Sequence, residues 1–381
     1  MTLLRFAPEA APRVSRGTAS VRPFAAADIP QVAWVHRAAF RIADPPALSS
    51  YREYFTSVFL ENPAPHRLIS SLVYEEPDGR ISGFVGLVPR YLTLGGRQYL
   101  AAVSSQFIVD PASHVGLVGV RLAKASLNGP QDVSIADEAN DISRQIWEGV
   151  GGTTATLLSL QWTRALRPAR LALSYLRGRR GFAPLAVAGL PFASVADSLM
   201  ARVPASRHFR QAKPSSTGEP LSARTVVAHT AGLSGTEGSG VKYPECALQW
   251  LLDRSGRRGG GRALNAVVKN GSQVLGWYVA HLTPDGVADV AQLMASPATI
   301  HAVLDHLFYD AWRNGGVSVT GRLDPRFMQA LSDKYCLFHR RGPWVLIKAK
   351  KPELLHALDS GATCFSRFDG EWSLRFHPQR A

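Results

Sequence analysis

Residues 105–127 read SQFIVDPASHVGLVGVRLAKASL, and residues 137–152 read DEANDISRQIWEGVGG. The β-branched and aromatic run Gln106, Phe107, Ile108, Val109 predicts a strand that stops at the turn pair Asp110-Pro111. A glycine-containing loop follows (His114, Val115, Gly116, Leu117, Val118, Gly119) and opens into an apolar-periodic helix over Val118 to Leu127. A strand feeding such a loop at a helix N-terminus is an anion seat, because backbone N–H groups point outward there and the helix dipole favours negative charge. Downstream, Asn140 leads a second helix that carries Ile146 and Trp147 and ends near Gly151-Gly152. An ordinary α/β domain with a glycine at a helix start would account for the same residues, since a lone glycine loop is a weak signal.

The order and spacing of these pieces resemble the acetyl-coenzyme A core of the GNAT acyltransferases. In that family a strand ending in V-x-P leads to an R/Q-x-x-G-x-G/A loop, and a later helix carries N-x-x-A-x-x-L-Y-x-x-x-G. His114 stands at the Arg/Gln position, Val115 and Gly116 fill the variable pair, Leu117 replaces the first motif glycine and Gly119 keeps the second. In the later helix Asn140 and Ile146 match, Ser143 replaces Ala and Trp147 replaces Tyr. The resemblance implies acetyl-CoA as co-substrate, held by Gln106 to Val109, by the His114 to Gly119 loop and by Asn140. The family's Tyr hydroxyl often protonates the departing thiolate. Trp147 cannot do so, because an indole N–H is a donor but no acid at neutral pH.

Composition narrows the classes. A chain of 381 residues, 46% apolar and with mean hydropathy near zero, describes two to three globular domains rather than a disordered protein. No run of about 18 apolar residues occurs, so no membrane span is expected. Cys246, Cys336 and Cys364 are too few and too scattered for a disulfide framework or a zinc site, which suits a cytoplasmic protein. The net charge of +14 is concentrated: from Arg164 to Lys213 nine Arg and one Lys stand against Asp197 alone. A single basic block beside apolar helices points to an anionic partner at one place, such as the inner membrane surface, and away from specific nucleic-acid binding along a face. A solvated Arg-rich linker reads equally well.

The punctuation of the chain gives an α/β (α+β) class with two mixed-sheet domains in tandem. Residues 1–19 read as a tail. Residues 20–163 run strand, two helices, two hairpins, helix, strand, helix, strand, and the opening VRPFAAADIPQVAWVHRAAF looks like the first strand and helix of a GNAT domain. Residues 164–219 form a basic, Pro-punctuated insertion and linker. Residues 220–381 repeat the element order, with Asn270-Gly271 as the strongest hairpin signal. Leu293 to Thr299 stands where a glycine loop would be needed, so this second copy is expected to bind no coenzyme.

Transfer of an acyl group from a thioester to an amine needs a polarised carbonyl, a deprotonated nucleophile and a route for the thiolate's proton. Asp137 and Glu138, at the C-terminal end of a strand, are the base candidates, with Asn140 beside them. Their alternative is helix N-capping, worth about 0.3–1 kcal/mol. Arg322 and Glu371 are candidate polar groups of a cleft between the halves, with surface ion pairing as the alternative. The function these residues imply is an acyl-CoA-dependent N-acyltransferase acting on an amine of a small molecule or a glycan. A tRNA-dependent (FemAB-like) aminoacyl transferase of the cell-wall class and a non-catalytic scaffold are the alternatives.

Overall fold

A computed structural model describes residues 18–377 apart from residues 65, 178–181, 183, 185–187, 201, 204–208, 210, 234–239 and 362–363. Most of the expected 1–19 tail, and part of the basic insertion, lie outside the described residues.

The first half begins with β1 (Ser20–Pro23), α1 (Ile29–Ala39) and α2 (Leu48–Phe55). Arg22 makes a two-pronged ion pair with Asp28, 2.8 Å on each side, and Asp28 also accepts from the Ala25 N–H at 2.9 Å. That clamp fixes where α1 leaves the strand. α1 buries Ile29, Val32, Ala33, Val35 and His36, the apolar stripe of its sequence. Then come β2 (Leu72–Glu75), β3 (Ile81–Leu94), β4 (Arg97–Val109), α3 (Val115–Leu127), β5 (Val133–Ala139), α4 (Asp141–Gly149) and β6 (Thr153–Thr154). β3 and β4 form one long hairpin, in which Pro89 pairs with Ala102 and the ladder continues to Leu94–Arg97. α3 starts three residues earlier than its apolar pattern suggests. Asp110 accepts from Ala112 N–H at 2.9 Å and the Ser113 hydroxyl donates to the Asp110 carbonyl at 2.7 Å, which closes the turn and lets the helix begin at once.

The remaining strands are β7 (Gln161–Ala165), β8 (Thr217–Pro220), β9 (Gly240–Lys242), β10 (Arg262–Asn270), β11 (Gln273–Leu282), β12 (Val287–Ala295), β13 (Ser318–Arg322), β14 (Leu337–His339) and β15 (Trp344–Ala349). The first sheet runs β1-β2-β3-β4-β5-β15-β6, with β9 also on β3, and the second runs β14-β7-β13-β12-β11-β10-β8. Both are mixed sheets, antiparallel except for β4–β5 in one and β12–β13 in the other. The two sheets exchange strands. β15, from the end of the chain, pairs with β5, and β7, from the first half, pairs with β13. β8 lies inside the stretch expected to be linker, where it pairs with β10 from Thr217 to Pro220. One continuous core joins Phe55, Phe84 and Ile135 of the first half to Trp277, Phe368 and Trp372.

In the insertion, helices Pro168–Arg177 and Leu190–Met200 pack together, with Asp197 accepting from the N–H groups of Ala169 and Arg170. Tyr175, Phe192, Val195 and Leu199 are left exposed, Phe192 by 78%. Among the described residues, no helix is long and apolar enough to cross a membrane.

Candidate functional site

β4 and β5 are hydrogen-bonded in parallel only from Ala101–Val133 to Val103–Ile135. Both strands continue beyond that point, β4 to Val109 and β5 to Ala139, without pairing to each other, so they part. A bulge on β4 between Ser105 and Ile108 turns the strand at the same place, with Gln106 held at φ +55°. α3 follows one diverging strand and α4 the other, and the start of α4 lines the gap through Asn140 and Ser143.

The gap is a cavity of about 490 Å³. Ser104, Gln106 and Phe107 line it from β4, Glu138 from β5, Asn140, Ser143 and Trp147 from α4, and His36 from α1. Trp147 is buried against Leu346, Ala136 and Ala139. The Ser104 hydroxyl is buried without a partner among the described residues, a polar group left for a ligand. Burial pushes His36 down to about 4, opposed by the Gln106 side chain, so it is neutral at pH 7.

Three carboxylates converge here, each in a different state. Asp137 is buried in an ion pair with Arg322 at 3.0 Å; burial pushes its carboxyl up and Arg322 opposes that shift. Glu138 is held at 2.9 Å by Arg367 and at 2.7 Å by Arg375, so both its oxygens are engaged. Arg367 also pairs with Asp289, which accepts from the Trp372 indole at 2.8 Å. Glu371 accepts from the Gln106 N–H at 3.2 Å and makes no ion pair among the described residues. Burial pushes its carboxyl up to about 7, with Arg375 pulling the other way. Glu371 opens the short helix Glu371–Leu374, anchored where its own N–H donates to Asp137 at 2.8 Å. Gly370 is required just before it, because a Cβ there would run into the Asp137 carboxylate.

The residues expected from sequence separate into groups. Gln106, Phe107, Glu138 and Asn140 reach the cavity. Ile108 is buried in the main core and Val109 packs, half-buried, beside α3. His114 is exposed ahead of α3 and caps nothing with its side chain; Val115 begins the helix, and Gly116 and Leu117 are exposed on its first turn. Val118 and Gly119 turn inward, and a Cβ on Gly119 would lie 3.0 Å from Ile146. Asn140 is the cap of α4, accepting from Ser143 N–H at 2.8 Å. Asp137 and Glu138 do not cap α4; both form ion pairs, and Asp137 also accepts from the first N–H of the helix Glu371–Leu374. The Arg322–Asp137 ion pair is buried, not superficial, and Glu371, half-buried, makes no ion pair among the described residues. His36, Ser104 and Arg375 carried no signal in the sequence.

The second sheet parts in the same way, since β12–β13 pairing ends at Val290–Gly321. There the gap is filled by Leu323, Phe327 and the Cys364–Arg367 segment, leaving about 50 Å³.

No family model and no curated protein matches the chain. Solved structures do. A conserved protein of unknown function from Enterococcus faecalis V583 superposes with a TM-score of 0.57 at 11% identity, covering 87% of this chain and 72% of that one. A GCN5-related N-acetyltransferase from Anabaena variabilis gives 0.55 at 11% identity, over 87% and 72%, and one from Kribbella flavida gives 0.50 at 15%, over 86% and 71%. The chain has the GCN5-related N-acetyltransferase fold.

Proposed function

We propose that the protein is an acyl-CoA-dependent N-acyltransferase, transferring acetyl from acetyl-CoA to an amine on a small molecule or a glycan. The observation that carries this reading is the cavity between the parted strands β4 and β5, which brings Gln106 and Phe107 of β4 together with the carboxyl of Glu371, pushed up to about 7 by burial. The coenzyme would lie along Gln106 to Val109, with its pyrophosphate at the exposed first turn of α3, where N–H groups are unclaimed by the helix. Asn140 shapes the far wall as the cap of α4.

Glu371 is the proposed general base. The acceptor's ammonium first releases one proton to solvent, and a carboxylate titrating near the working pH is well matched to take the second from the attacking amine. As the amine nitrogen bonds to the thioester carbonyl carbon, its proton passes to Glu371 and the C–S bond breaks. The thiolate then takes a proton from water, since Trp147 has none to give. Asp137 and Glu138 act here as positioning groups, Asp137 by fixing the Glu371 N–H and Glu138 by fixing Arg375. The filled gap in the second sheet supports a second half that binds no coenzyme.

Release of free thiol from acetyl-CoA, measured over a panel of amines, tests the reading. Coenzyme binding with no thiol release from any amine favours a scaffold, and no coenzyme binding favours the tRNA-dependent class. The exposed apolar stripe of the helix pair, set in the basic block, supports docking on an anionic membrane surface.

A further inference from the structure

On the α2 side of Glu371, a second cleft of about 120 Å³ shares Arg375 and Phe376 with the acyl cavity. Its wall carries Arg254, Arg257 and His377, with Glu53 as its one acidic residue. Arg254 lies over the Trp250 ring at 5.1 Å and its Nε donates to the Ser373 carbonyl. Arg258, just behind, stacks on Trp372 at 3.9 Å and donates to the Trp372 carbonyl at 2.8 Å. No carboxylate among the described residues lies within ion-pair distance of Arg254 or Arg258, and burial lowers the pKa of both. The buried Nε2 of His377 has no hydrogen-bond partner among the described residues.

Half-buried guanidinium groups without carboxylates are costly unless an anion completes them. The acyl cavity offers no comparable group, because the arginine on its wall, Arg375, is paired with Glu138. The helix Glu371–Leu374 spans the two spaces, with Glu371 in the acyl cavity and Ser373 in the cleft. An acceptor seated in the cleft by a negative group would extend past Arg375 and Phe376 toward Glu371.

We propose that the cleft formed by Arg254, Arg257, Arg375 and His377 binds an anionic group, carboxylate or phosphate, of the acceptor amine. This rests on the N-acyltransferase reading for the word acceptor, but the anion site itself does not. The full chain is titrated with inorganic phosphate, alone and in the presence of acetyl-CoA. Binding that survives saturation with acetyl-CoA and weakens about tenfold or more in Arg257→Gln supports the site. Binding abolished by acetyl-CoA, or unchanged in Arg257→Gln and Arg254→Gln, overturns it. Because Arg254 is packed between rings, the exposed Arg257 supplies the variant that does not depend on refolding the wall.

The second arm measures thiol release from acetyl-CoA with matched amines: ethanolamine against phosphoethanolamine, and phenethylamine against phenylalanine. Preference for the anionic member of either pair, with KM raised about tenfold by Arg257→Gln and acetyl-CoA affinity unchanged, supports the proposal and tells phosphate from carboxylate. Equal or better use of the neutral members overturns it. If no amine is acylated, the N-acyltransferase reading fails, and the phosphate titration still decides the anion site.

Discussion

Glu371 accepts a hydrogen bond from the backbone N–H of Gln106, 265 residues earlier in the chain, at 3.2 Å. The bulged residue of β4 and the last helix of the chain are thereby fixed to each other. This places a carboxyl with a raised pKa beside the strand proposed to hold the coenzyme.

Glu371→Gln should lower turnover by about 10²–10⁴ while leaving acetyl-CoA affinity unchanged. In the unaltered protein the rate should rise with pH through about 7, as Glu371 loses its proton. Stability should move the other way. The folded form keeps this proton up to about 7 and the unfolded form only to about 4.5, so the group's contribution falls as pH rises through that window. Denaturant melts at pH 4.5 and 7.5 should show this slope reduced in the Gln variant. Equal turnover in the two proteins would remove Glu371 from the chemistry.

Arg322→Met leaves Asp137 buried without its guanidinium partner. A loss of about 3–5 kcal/mol in urea unfolding is expected, the cost of stranding a buried charge. The double variant Arg322→Met with Asp137→Leu should recover part of that loss.

The strand exchange bears on how the chain can be cut. A fragment starting at Lys213 lacks β7, which lies between β13 and β14, and exposes β15, whose partners β5 and β6 are missing. Such a fragment should show no cooperative thermal transition, and co-expression with residues 1–212 should restore one. A fragment that melts cooperatively alone would show that the exchanged strands are dispensable.

At the helix pair, Phe192→Glu with Val195→Glu should reduce co-sedimentation with vesicles containing phosphatidylserine severalfold, without altering the melting temperature of the rest of the chain. Equal sedimentation of the two proteins would discount the membrane contact.

Much of the fold was legible because its signals are local. Asn270-Gly271 marks the β10–β11 hairpin, and the apolar stripe of Ile29 to Ala39 marks α1. The start of α3 was misplaced because Asp110 and Ser113 close the turn with hydrogen bonds that apolar periodicity does not register. Strands β8 and β15 have patterns that fit several partners, so which sheet they join is decided by long-range packing. The site was half legible. Gln106, Phe107, Glu138 and Asn140 sit in the motif-bearing stretch and Glu371 was expected at a cleft, whereas Arg375 and His36 arrive from elements whose sequences announce only helix or turn. Gly119 matched a motif position yet faces Ile146, whose Cδ1 lies 3.0 Å from where a Cβ would stand.

Gly116 separates binding from packing. It is exposed on the first turn of α3, and a Cβ there meets nothing within 4 Å. The most direct test of the account is calorimetric titration of acetyl-CoA into the full chain and into Gly116→Asp, with melting temperatures recorded for both. One site is expected in the parent protein. Affinity should be lower by about tenfold or more in the variant at unchanged melting temperature, because a carboxylate would stand against the pyrophosphate. No heat of binding in the parent, or equal affinity in the two proteins, would contradict a coenzyme site between β4 and β5.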